Sequence, residues 1–78
     1  MRFLALARPA GRSLMPTDTE RVIDTLRRSQ GLDDDELARQ SGIDLASVNR
    51  ICRYLEILGR LRRAPGPAGK IINTLIDM

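Results

Sequence analysis

Apolar positions recur at helical spacing in three stretches of the chain, and a short run rich in β-branched residues closes it. The first stretch follows Pro16. Thr17-Asp-Thr-Glu20 is a capping box, in which the cap hydroxyl accepts the Glu20 N–H and the glutamate reaches back to the cap. Val22, Ile23 and Leu26 then share a stripe, with Arg21, Asp24, Arg27 and Arg28 outside it. This predicts a helix over 18–29, closed by Gly31 as a left-handed cap. Asp33 opens a second, shorter helix over 34–41, where acids meet the positive end of the helix dipole. Leu37 and Ala38 form its buried side, Gly42 ends it, and Ile43 plugs the turn. Asp44 caps a third helix over 45–58. At about 100° per residue its Leu45, Val48, Ile51, Cys52, Leu55 and Leu58 gather on one face. Ala46, Arg50, Arg53 and Ile57 lie opposite, flanked by Asn49 and Tyr54.

Gly59 stops the third helix. Arg60-Leu-Arg-Arg63 reads as a short strand with Leu61 inward. Ala64-Pro-Gly-Pro-Ala-Gly69 is a turn-rich connection, and Lys70 to Ile76 reads as the returning strand. Two short helices joined by a glycine-containing turn make a helix-turn-helix, here followed by a hairpin. The expected fold class is mainly α with a C-terminal β-hairpin. Upstream of Met15 the pattern fails. Five apolar residues after Arg2 are too few for the apolar core of a secretory signal, about 7 residues at least. Pro9, Gly11 and Pro16 break any helix there. Residues 1–16 are therefore read as a flexible arm and 17–78 as the domain.

Composition narrows the function. With 78 residues the chain makes one domain, too small for a deep substrate cavity. It has no His, the commonest general base and metal ligand, and a single Cys, which supports neither an internal disulfide nor a thiolate zinc site. An enzyme is not expected, nor a cofactor or bound metal. No apolar run approaches the roughly 20 residues of a membrane span, so a cytoplasmic place away from the membrane is expected. Charge is unevenly placed. Residues 17–49 carry four Arg against eight acids. Residues 50–78 carry Arg50, Arg53, Arg60, Arg62, Arg63 and Lys70 against Glu56 and Asp77. A basic C-terminal half behind an acidic middle suits a polyanion-binding face, and equally the solvated surface of a small basic domain.

The residues Glu36-Leu-Ala38, Ser41-Gly-Ile43, Val48-Asn-Arg50, Leu55-Glu56, Leu58-Gly59 and Leu61-Arg-Arg63, with the Gly/Pro turn after them, resemble the winged helix-turn-helix family. They look like the core of MarR-type bacterial regulators. The resemblance covers about residues 17–76 and implies a three-helix bundle with a wing, helix 3 in the major groove and the wing along a phosphate backbone. Two features depart from it: the acids Asp33 to Glu36 at the start of helix 2, and the lack of dimerising helices after Ile76. Val48 to Leu55 is also weakly similar to the recognition helix of Z-DNA-binding winged helices, with Asn49 on their DNA-contacting Asn. Arg53 stands at their aromatic position, and their wing Trp is absent.

The expected partner is double-stranded DNA, and the expected role a small prokaryotic transcriptional regulator. Ala46, Asn49, Arg50, Arg53 and Tyr54 would face the groove, because Arg suits guanine and Asn adenine there. Arg60, Arg62, Arg63 and Lys70 would meet phosphates around the wing. The alternative is a winged-helix adaptor that binds protein through Tyr54, Ile57 and the acidic run. Other motifs reduce to structure. Asp33 to Glu36 lacks the ligand spacing of a calcium loop and caps a helix. Cys52 lies on an apolar face, as a core residue. Gly66 and Gly69 lack the Lys-Ser/Thr of a P-loop.

Overall fold

A computed structural model describes residues 17–76; the arm expected over residues 1–16 lies outside them. The capping box forms as its sequence dictates. Thr17 Oγ1 accepts the Glu20 N–H at 3.1 Å, and Glu20 Oε1 accepts the Thr17 N–H at 2.8 Å. Helix α1 (Asp18–Arg27) follows. It ends earlier than expected, because the Arg28 and Ser29 N–H groups turn to carbonyls only three residues back. Gly31 is not its cap. At φ 136° it sits against the last strand, where a Cβ would lie 3.0 Å from Ile72 Cγ2. Glycine is required there by close approach as well as by backbone angle.

Asp33 caps α2 (Asp34–Ser41), accepting the Glu36 N–H at 2.7 Å, and Gly42 closes it in the left-handed conformation. Asp44 caps α3 (Leu45–Ile57) through the Ser47 N–H. The end of α3 is a Schellman turn: Arg60 N–H reaches the Leu55 carbonyl at 2.9 Å and Gly59 N–H the Glu56 carbonyl at 3.0 Å.

Three antiparallel strands complete the fold, in spatial order β1-β3-β2. They are β1 (Leu32–Asp33), β2 (Leu61–Pro65) and β3 (Ile71–Leu75). The register sets Leu61 opposite Leu75, Arg63 opposite Asn73, and Leu32 opposite Asn73 on the other side. β1 has no signature in the sequence. Two residues carry no period, and the pairing exists only because β3 offers its free edge there. β2 runs into the expected turn as far as Pro65. Proline is tolerated because β2 is an edge strand, with no second neighbour among the described residues awaiting its missing N–H.

Val22 and Leu26 of α1, Leu37 of α2, Ile43 of the turn, then Val48, Cys52 and Leu55 of α3, and Leu61 of β2 form one buried core. Leu45 and Leu58 do not join it as the periodicity suggested. They remain 46% and 51% exposed, because they stand at the two ends of α3, beyond its neighbours. The polar core residues are satisfied: Thr25 Oγ1 donates to the Arg21 carbonyl at 2.7 Å, and Ser41 Oγ accepts the Ile43 N–H. Cys52 is fully buried and free. Burial pushes its thiol up to about 11, with the nearby Asp34 carboxylate adding to the effect.

Candidate nucleic-acid interface

Helix α3 turns Val48, Cys52 and Leu55 inward, and this fixes what its other face presents. Ala46, Asn49, Arg50, Arg53, Tyr54 and Ile57 surround one shallow concavity on the outside of the helix. Arg50 and Arg53 are exposed, and neither pairs with a carboxylate among the described residues. Tyr54 is 55% and Ile57 83% exposed. Five of the nine nominated residues therefore do come together on one surface.

The wing is built differently from the expectation. Arg62 points outward on β2 and is exposed, and Arg60 is exposed at the root of the hairpin. Arg63 turns inward, its side chain only 12% exposed, and pairs with Asp34 at 3.2 Å. The strand period explains this. If Leu61 faces the core, Arg63 two residues on shares that face, and Arg62 takes the other. Lys70 at the wing tip lies 3.3 Å from Asp35 and 4.0 Å from Asp33. The acids at the start of α2 therefore line the cleft between α3 and the wing, with Asn49, Arg63 and Lys70. They interrupt the positive surface there.

Asn49 is also engaged. Its Nδ2 donates to Asp34 Oδ2 at 2.9 Å. Asn73, fully buried on β3, donates to Asp34 Oδ1 at 2.7 Å and to the Leu32 carbonyl at 3.0 Å, and its own Oδ1 accepts from Arg63 at 3.0 Å. Burial alone would raise the Asp34 pKa. The bonds from Asn49, Asn73 and Arg63 outweigh it and hold the carboxyl below its usual range. Sequence reasoning missed Asn73. Its signal was an asparagine inside a β-branched run, a residue depleted in strands unless something bonds it.

Glu36, by contrast, bonds Arg39 and Gln40 on its own helix and faces away from the cleft. Among the described residues no group of three or more His, Cys, Asp or Glu stands ready to hold a metal. No helix among them is long and apolar enough to cross a membrane.

This arrangement was compared with known proteins. Solved structures superpose well. The PcaV transcriptional regulator from Streptomyces coelicolor matches with a TM-score of 0.73 and 22% identity, over 81% of this chain and 46% of that one. The AntR antimony-specific transcriptional repressor matches at 0.69 and 27%, over 85% and 60%. Wild-type MarR from E. coli matches at 0.65 and 20%, over 83% and 50%. The chain thus spans about half the length of these regulators, and the likeness shows a shared winged-helix fold. Comparison with curated proteins gives no match. The family model of the DprA winged helix domain matches residues 7–67, well over half the chain. With helix-turn-helix, three-stranded sheet and wing in place, the chain belongs to the DprA winged helix domain family.

Proposed function

We propose that this domain binds duplex DNA, with the outer face of α3 in the major groove, and that it serves DNA-bound regulation in a prokaryote. One observation carries the reading: Arg50 and Arg53 stand exposed and, among the described residues, without an acidic partner, beside Tyr54 and Ala46 and opposite the core. A groove-inserted helix needs that arrangement, with long donors reaching base edges and a small residue permitting close approach. Asn49 borders the same surface. Arg62 and Lys70 supply phosphate contacts from the wing, and Arg60 adds charge at its root. Lys70 must leave Asp35 to do so, a small cost for an exposed pair. The bacterial regulators that share the fold support the regulatory role.

A second reading, a protein-binding adaptor, is favoured by the acids in the cleft and by the exposed Tyr54, Ile57 and Leu58. Titration of random-sequence duplex at two salt concentrations separates the two. DNA binding should weaken with salt, with a slope in log K against log salt of about −0.9 per phosphate contacted. Absence of binding at low salt would leave the adaptor reading in its place.

A further inference from the structure

The carboxylate of Asp34 is the one side chain among the described residues that hydrogen-bonds α3, β2 and β3 together. It accepts from Asn49 at 2.9 Å, from Asn73 at 2.7 Å, and from both terminal nitrogens of Arg63 at 3.2 and 3.4 Å. Asn73 passes the link on to the backbone of β1. The hairpin meets the helices at successive levels. Its root is apolar, with Leu61 buried and Leu75 packed against the same core. Further along, at the Arg63–Asn73 pair, the inner face becomes polar, and Asp34 is what it meets. Beyond that point the pairing of Asp33 with Ile72 and the exposed pair of Lys70 with the α2 acids hold the tip. Hydrophobic contact at the root is non-directional. The Asp34 bonds are directional and, together with the short β1–β3 pairing, fix the angle of the wing.

We infer that Asp34 is a positioning residue that sets the wing on α3, and that Asn49 and Arg63 serve it there instead of contacting DNA. This rests on the DNA-binding reading above and deepens it. The side-chain amide of Asn49 donates to Asp34, and the Arg63 guanidinium is divided between Asp34 and Asn73. A base or phosphate would have to displace a charge-assisted bond in a partly buried site to recruit either.

Asp34 and its neighbour Asp35 allow a test by sign. Each lies at the start of α2, and each change to Ala removes one negative charge near the DNA. Asp35→Ala leaves Lys70 with only its longer contact to Asp33 and should tighten binding to random-sequence duplex about two- to fivefold. Asp34→Ala should weaken it about tenfold despite the lost negative charge, the worth of one charge-assisted bond. Circular dichroism at the assay temperature checks that each variant is folded. If Asp34→Ala does not fold, Asn49→Ala decides, since alanine suits a helix interior. As a positioning residue Asn49 should weaken random duplex when removed; as a base reader it should leave random duplex unaffected. Without DNA, amide exchange should quicken in Asp34→Ala over β2, the wing tip and β3 while α1 keeps its protection. Tighter binding by Asp34→Ala, an unchanged Asn49→Ala, or unaltered wing exchange would each overturn the inference. Loss of wild-type binding would instead overturn the DNA reading, and the exchange measurement would still decide whether Asp34 holds the wing.

Discussion

Leu55→Ala is the sharpest perturbation of the core. Leu55 is 1% exposed and lies in one cluster with Val22, Leu26, Cys52 and Leu61, so it joins α3 to α1 and the hairpin. The change deletes three carbons, worth about 0.8 kcal/mol each, or roughly 2.4 kcal/mol by transfer alone. The cavity left behind brings the cost to about 3–5 kcal/mol, since neighbours anchored on three elements relax little. At about 0.05–0.15 kcal/mol per residue a domain of this size holds roughly 4–12 kcal/mol in all. The variant should therefore lose a large share of its stability. Leu58→Ala is the control. The helical period put Leu58 on the same face as Leu55, but it is half exposed beyond the end of α3, and its loss should cost about 1 kcal/mol or less. Urea denaturation followed by circular dichroism measures both. With a slope of about 1 kcal/mol per molar for so small a domain, Leu55→Ala should move the midpoint by about 3 M or more. Equal midpoints for the two variants, or a Leu55→Ala loss below about 1 kcal/mol, would refute the packing described above.

Three further outcomes are expected. Arg50→Ala should cost about 1–3 kcal/mol on a preferred duplex and much less on random sequence, measured by titration of both; equal losses would remove α3 as the reader. Cys52, buried and with its thiol pushed up to about 11, should react with a thiol reagent only as fast as the domain opens, so the rate should rise with urea in step with unfolding. Asp34, Asp44 and Glu36 all have pKa values below their ordinary 3.8, 3.8 and 4.5. Groups shifted downward add stability that is full above the ordinary carboxylate range and is lost as pH falls through it toward their lower folded values. Urea midpoints should thus fall between about pH 6 and about pH 3, and Asp34→Ala should flatten the fall. An unchanged midpoint in the wild type would show that these carboxylates do not stabilise the fold.

What the sequence determined by itself was most of what a few neighbouring residues decide; the end of α1, where Gly31 packs on β3 instead of capping, was an exception. Thr17, Asp33 and Asp44 start helices because a short polar side chain reaches an N–H only two or three residues away. Gly42 and Gly59 end two of them because the chain leaves each helix at a positive backbone angle that strains any residue with a Cβ. The period of 3.6 put Val48, Cys52 and Leu55 inside and Arg50 and Arg53 outside without any partner being known. Part of the wing was legible too, since the inward Leu61 already implies an inward Arg63 by the two-residue period. What it meets there is a different matter. Asp34 lies 29 residues from Arg63 and 39 from Asn73. No local rule says that an outer-face asparagine, a strand asparagine and a strand guanidinium will close on one capping-region acid. The fate of the acidic run was decided in the same way. Asp33, Asp34, Asp35 and Glu36 look alike in sequence, yet one caps a helix, one binds three elements, one holds Lys70 and one bonds along its own helix. Their environments differ only because the sheet is laid across one end of α2. Long-range packing sets those environments, and with them which charges remain free to meet a partner.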